Sequence, residues 1–169
     1  MSYRSLTLYP EFAERLALLS QLGYVSDAAA DASAPPAVTA KGRVACELAA
    51  CDELLLTEAL TRGLLHPLDA PELAALLAAF VYQERADERG AALAGRLAEA
   101  RDGCLALQEE LEARGERVTG AAAVGAGGEA RPPLNFGLSA LVYEWACGRP
   151  FRDIIDLSRC ALFNLNLSA

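Results

Sequence analysis

Residues 68–85 read LDAPELAALLAAFVYQER, and the way this stretch folds decides the architecture. Asp69 and Glu72 stand at the spacing of a capping box, in which the aspartate accepts from the backbone three residues on and the glutamate reaches back to the N-cap amide. The helix that follows is apolar nearly all round until Gln83. A surface helix shows one apolar stripe, whereas a helix apolar on every side must be covered on every side. The stretch therefore predicts a helix at the centre of a bundle.

Working outward, the flanking segments also read as helices. YPEFAERLALLSQLGY (9–24) places Pro10 in a first turn, Glu11 at the positive end of the helix dipole and Gly23 as a C-cap. Phe12, Leu16, Leu19 and Leu22 form its apolar stripe. RVACELAA (43–50) is a second helix. Asp52 caps ELLLTEALTRGLL (53–65), with Leu55, Ala59, Leu60 and Leu64 facing one way. A long charged helix over 87–114 carries Leu93, Leu97, Ala100, Cys104, Leu107 and Leu111 at spacings of four and three, one stripe laid on a core. LNFGLSALVYEWACGRPFRDII (134–155) is the last full helix: Gly148 ends it, Pro150 opens a short one, and Phe136, Leu141, Val142 and Trp145 give an apolar face for core packing. Tyr24-Val25 and Val38-Thr39 pair as a small hairpin around a swollen loop, as in a winged-helix element. The fold class is mainly α, a helical bundle with a small winged-helix-like β-hairpin near the N-terminus.

Composition agrees and excludes several functions. The hydrophobic fraction is 53% but aromatics are only 7%, because alanine supplies much of the rest, and alanine with leucine favours helix. A length of 169 residues suits one domain. The net charge of −8 lacks the basic footprint of a free-standing nucleic-acid binder. Five cysteines, an odd number without a Cys-x-x-Cys pair or a secretory signal, read as reduced thiols of an intracellular protein. No apolar run approaches the roughly 20 residues of a membrane span. A phosphate loop needs Gly-Lys-Ser/Thr, yet the single lysine, Lys41, sits in TAKGRV (39–44). The GAGG of 125–128 has linker composition. Zinc and Cys-His chemistry both founder on a sole histidine, His66, in a turn, so no metal site is expected. Neighbouring carboxylates such as Asp52-Glu53 are explained by capping and solvation. No catalytic residue is assigned.

Four segments in register nevertheless carry a specific pattern: KGRVACE (41–47), DELLLTE (52–58), FVYQER (80–85) and VYEWACGRPF (142–151). Together with Pro10 they resemble the C-terminal helical domain, DSHCT, of the superkiller-type DExH-box RNA helicases. The matching positions are Gly42, Arg43, Cys46 and Glu47; Asp52, Glu53, Thr57 and Glu58; Gln83; and Tyr143, Trp145, Gly148, Pro150 and Phe151, all expected to be structural. The resemblance implies a DSHCT-like domain over 1–157, with a loop insertion at 26–37, an Ala/Gly-rich linker at 115–133 and a divergent tail at 158–169. It further implies an accessory domain, not an enzyme by itself, that packs on helicase motor domains in cis and lines an RNA exit channel feeding the exosome. ATP and Mg²⁺ would belong to that motor, and superkiller and exosome cofactor proteins would be the partners, with no membrane. RNA would be bound weakly or indirectly, with Arg149 and Arg152 as the candidate contacts. The NFGL of 135–138 leans to the cytoplasmic superkiller branch over the nuclear one. Where SRCALFNLNLSA (158–169) stands, the family continues into a long RNA-contacting helix, so the chain reads as a piece cut at both ends. The alternative is a stand-alone helical protein-interaction module without RNA or ATP binding.

Overall fold

A computed structural model describes residues 9–26, 36–82, 93–119 and 134–155, and these are mainly helical. The helices are α1 (Tyr9–Gln21), α2 (Ala40–Glu47), α3 (Glu53–Thr61), α4 (Ala70–Val81), α5 (Gly95–Thr119) and α6 (Ser139–Ala146), with a 3-10 turn over Phe136–Leu138 leading into α6 and a short helical stretch over 151–155. The described residues divide into two units. One draws on 9–58 and 106–119, the other on 59–105 and 134–155.

In the first unit, α1 ends in a Schellman motif. Gly23 adopts φ +76°, its N–H donates to Ser20 O (2.9 Å), and Tyr24 N–H donates to Leu19 O (2.9 Å). Burial rises along α1, from Phe12 at 60% exposure to Leu22 in the core, so only the C-terminal turns of the expected stripe are covered. Among the described residues no strand forms. The expected hairpin is reduced to a single antiparallel bridge between Val25 and Val38. The reason is local: Tyr24 still belongs to the cap of α1, and Thr39 already caps α2, its hydroxyl accepting from Gly42 N–H (3.1 Å). The pairing therefore stops at that end, and residues 27–35 at the other lie outside the described residues. Asp52 caps α3 as expected, Oδ1 accepting from Leu55 N–H at 2.8 Å.

In the second unit, α4 carries the capping box read from its sequence, with Glu72 N–H on Asp69 Oδ1 and Asp69 N–H on Glu72 Oε2, both at 3.0 Å. Ala75, Leu76, Ala79 and Phe80 are buried, and α4 packs on α6 and on the 3-10 turn. Asn135 N–H reaches past the helix ladder to Ala79 O (3.1 Å) and pins that turn to α4. Five of the six expected stripe residues of α5 are buried, Leu97, Ala100 and Cys104 here and Leu107 and Leu111 in the first unit; Leu93 lies ahead of the helix, which starts at Gly95, and is half-buried. α5 also runs five residues into the expected linker, to Thr119; 120–133, like Gln83 and the tail, lies outside the described residues.

Besides Phe12, two apolar residues fall elsewhere than expected. Leu60 is exposed, because a residue next to Ala59 lies a quarter-turn or more away from the Leu55–Ala59 line. Trp145 is 63% exposed. The 3-10 turn breaks the helical period after Phe136, and α6 buries Ser139, leaving Trp145 on another side of a helix only two turns long.

Candidate functional site

The motifs around KGRVACE and DELLLTE meet in the first unit. Lys41 Nζ donates to Leu22 O, a carbonyl at the end of α1, at 2.8 Å and pairs with Glu58 of α3, whose side chain is only 4% exposed. The Tyr24 hydroxyl lies 3.1 Å from Glu58 Oε1 and 3.2 Å from Leu54 O, and the Lys41 ammonium sits 4.7 Å from the Tyr24 ring centroid. Thr39 Oγ1 donates towards Gly23 O (2.7 Å) and Tyr24 O (3.0 Å). Gly42 is buried so closely against this cap that a Cβ there would stand 2.3 Å from Tyr24 O. Three helix ends are thus tied by one ammonium and one carboxylate. Their polar atoms are turned on one another and leave none to work on a substrate. The cluster is a cross-link.

The second unit brings the other motif residues to the α6 end. Arg96 of α5 holds the capping box of α4 from outside, with Nη2 3.1 Å from Asp69 Oδ2 and 2.9 Å from Glu72 Oε2, and Nη1 donating to Pro67 O (3.0 Å). The phenol of Tyr143 is raised above its usual range, first by its hydrogen bond with Cys147, then by the Cys147 charge, burial, and the Asp69 and Glu72 carboxylates. Gly148 closes α6 with φ +86° and the same Schellman pair, Gly148 N–H to Trp145 O (2.9 Å) and Arg149 N–H to Glu144 O (3.0 Å). This geometry turns the Gly-Arg-Pro break outward. Trp145 and Phe151, the latter 69% exposed, stand in solvent with Pro150 and Arg152. Arg149 is engaged, Nε resting 2.9 Å from Glu144 Oε2. Exposed aromatics beside arginine can stack on unpaired bases without reading sequence.

Comparison with known proteins turns these clusters into a family assignment. The family model described as the DSHCT (NUC185) domain matches residues 36–161. The chain belongs to the DSHCT family. Among its relatives, Superkiller complex protein 2 of Homo sapiens is 36% identical over 94% of this chain. The DExH-box ATP-dependent RNA helicase DExH11 of Arabidopsis thaliana is 31% identical over 94% of it, and Exosome RNA helicase MTR4 of Homo sapiens is 33% identical over 85%. The chain spans only 12%, 11% and 13% of those proteins, respectively.

Within the DSHCT domain, the motif residues part into two groups. Gly42, Thr57 and Glu58 are buried, Asp52 caps α3, and Glu53 and Tyr143 are half-buried. Pro10, Arg43, Cys46, Glu47, Trp145, Pro150 and Phe151 are exposed, so for these a purely internal role does not account for the side chain, whereas exposed Gly148 serves the cap of α6 through its backbone. Sequence reading missed Tyr24, Thr39, Lys41 and Arg96. The one available signal was compositional: Lys41 is the single lysine among 15 basic residues. Cys46, Cys51, Cys104 and Cys147 are free thiols. Burial pushes Cys104 up to about 11; burial, then Asp52 and Glu53, raises Cys51. Among the described residues no cluster of three His, Cys, Asp or Glu could hold a metal, and no helix is long and apolar enough to cross a membrane.

Proposed function

We propose that this DSHCT domain is the accessory C-terminal domain of an ATP-dependent RNA helicase that feeds RNA to the exosome for 3′–5′ decay. In this reading it packs on the motor, lines the RNA exit channel and is inactive alone. ATP and Mg²⁺ belong to the motor, and the partners are superkiller and exosome cofactor proteins. The carrying observation is the family match over 36–161 together with full-length relatives that are RNA helicases. The outward end of α6 supports the RNA side of the reading: Trp145, Phe151 and Arg152 are exposed on the two sides of the Gly148 cap and offer stacking and charge, and Arg149 adds to them on release from Glu144. A cytoplasmic location goes with the superkiller branch and a nuclear one is the runner-up; imaging of the tagged full-length protein separates them.

The test is a chimera in which this chain replaces the matching segment of human Superkiller complex protein 2. RNA-stimulated ATP hydrolysis should persist, and the triple variant W145A/F151A/R152A should raise the RNA concentration for half-stimulation while leaving melting unchanged. A chimera no better than a deletion of the segment overturns the reading and favours the stand-alone interaction module. The isolated chain should turn over no ATP and should bind RNA more weakly than micromolar at physiological salt, given its net charge of −8.

A further inference from the structure

The first unit contains an open apolar groove that the helicase reading does not use. Its volume is about 430 Å³, and Leu19, Val25, Val38, Ala45, Leu48 and Leu54 line it, with Cys46 and Glu53 at the same wall. That size lies in the range of ligand pockets, about 300–1,000 Å³, and accepts more than one aliphatic side chain. Its polar content is too sparse to orient a small molecule. The Tyr24 hydroxyl, which also borders it, is committed to Glu58 and Leu54, leaving Glu53 as the one charged side chain among the described lining residues.

The charge beside the groove is mainly acidic, Glu47 and Glu53 outweighing the exposed Arg43 of α2. α2 ends on Glu47 with no basic residue in its last turn, so the negative end of that helix dipole is reinforced where ordinary helices compensate it. α3 then opens on Glu53. Among the described residues neither glutamate forms an ion pair. Lys41, the lysine of α2, is spent on Leu22 O and Glu58. The raised thiol of Cys51, between the two glutamates in sequence, registers the same acidic field through Asp52 and Glu53 after burial.

We propose that this groove docks a basic, leucine-rich segment of a partner protein, an aliphatic side chain seated between the end of α1, the Val25–Val38 bridge and α2, and its cations against Glu47 and Glu53. Charge selects this occupant. RNA is a polyanion and is repelled by the two glutamates. A second copy of this chain brings a net charge of −8, which an acidic rim opposes. A cationic segment meets the rim with attraction and gives its aliphatic side chains a dry wall.

The probe is a fluorescein-labelled synthetic peptide of leucine pairs separated by lysines, read by anisotropy with the full 169-residue chain. Two control peptides carry glutamate for lysine or serine for leucine. The Lys/Leu peptide should bind at least about 10-fold more tightly than either control. C46W, which fills the groove from an exposed wall position, should weaken it by a similar factor. E47Q/E53Q should weaken it about fivefold and flatten its salt dependence, whereas E99Q/E109Q on exposed α5 positions should leave it unchanged. In ¹H–¹⁵N spectra the amides of Val25, Gly42 and Leu54 should move on titration, and those of Gly63 and Gly148 should not. Equal binding of either control peptide, full binding by folded C46W, or equal loss with E99Q/E109Q overturns the proposal. The amide map needs no variant: shifts centred away from the groove overturn it even where C46W loses its fold.

Discussion

Gly42 and Gly103 both lie inside helices with no positive φ, yet alanine should act on them with opposite sign. At Gly42 the new Cβ would meet Tyr24 O at 2.3 Å, Val38 Cγ1 at 2.8 Å and Tyr24 C at 3.2 Å. A carbon beside a carbonyl oxygen needs about 3.3 Å, so α2 or the cap of α1 must retreat by about 1 Å. Val38 is half exposed and can turn aside, but the Tyr24 carbonyl cannot move freely. It accepts Thr39 N–H at 3.0 Å and Thr39 Oγ1 at 3.0 Å. Overpacking costs about 1–3 kcal/mol and a weakened hydrogen bond about 1 kcal/mol. The better helix propensity of alanine returns about 1 kcal/mol. The net destabilisation is about 2 kcal/mol. At Gly103 the nearest atoms are the methyls of Leu64, at 3.1 and 3.6 Å. These are the far end of a half-buried side chain, so the propensity gain survives and stability changes by about 0 to +1 kcal/mol. Circular dichroism melts at 222 nm should show Gly42→Ala lowered by about 4–8 °C and Gly103→Ala unchanged or raised. A Gly42→Ala melt at or above wild type, or equal losses at both glycines, would refute the close approach of α2 to the α1 cap.

Lys41→Met should cost about 3 kcal/mol or more by leaving Glu58 charged and buried; in a denaturant double-mutant cycle the added E58Q should return part of that cost, and strict additivity would deny the pair. Arg96→Ala should cost about 1 kcal/mol or less because its guanidinium is about half exposed, and Asp69→Ala, which removes the N-cap, should cost about 1 kcal/mol. Alkylation at pH 8 followed by mass spectrometry should mark Cys46 and Cys147 first, Cys51 more slowly and Cys104 only in denaturant. Cys104 also makes stability depend on alkaline pH. Its folded-state pKa of about 11 lies above the ordinary 9.0, so its contribution is constant below pH about 9. Between about 9 and 11 the unfolded thiol ionises first, and stability should fall by about 1.4 kcal/mol per pH unit. Cys104→Ala should lose that increment of slope.

What could be read from the sequence was what local rules control. The capping box at Asp69 and Glu72 spans one helical turn, and the Asp52 cap of α3 likewise. The α5 stripe repeats over five positions, enough for period alone to pick the buried face. The Tyr24–Glu58 contact joins residues 34 apart in sequence, and nothing periodic announces it; Lys41 between them is marked only by being the single lysine of the chain. Trp145 misled in the opposite way. Its size argues for burial, but α6 is only eight residues long and its one buried residue is Ser139, six positions from Trp145 and so on another side, while Leu141 and Val142 are only half-buried. Among the described residues the pairing at Val25 and Val38 stays a single bridge, because capping at Gly23 and Thr39 took residues that β-propensity had claimed at its inner end.

The chemistry of Lys41 bears on how this domain could touch RNA. An ammonium carries three N–H donors, and here Leu22 O, the Glu58 carboxylate and the Tyr24 ring face surround it. A guanidinium would bring five donors in a rigid plane to a place built around three partners, which gives lysine a physical advantage at this one position. Fixed there, it is withdrawn from phosphate binding. Every other cation of the side chains, His66 apart, is an arginine. Of the two at the α6 break, Arg149 is held by Glu144 and Arg152 stands among exposed aromatics. Contact with RNA under the helicase reading would then rest on arginine and aromatic stacking at few phosphates. Because the salt dependence of binding counts phosphates neutralised, the RNA response of the chimera should change little between low and moderate salt. A steep salt slope would place the RNA on another surface than the α6 end.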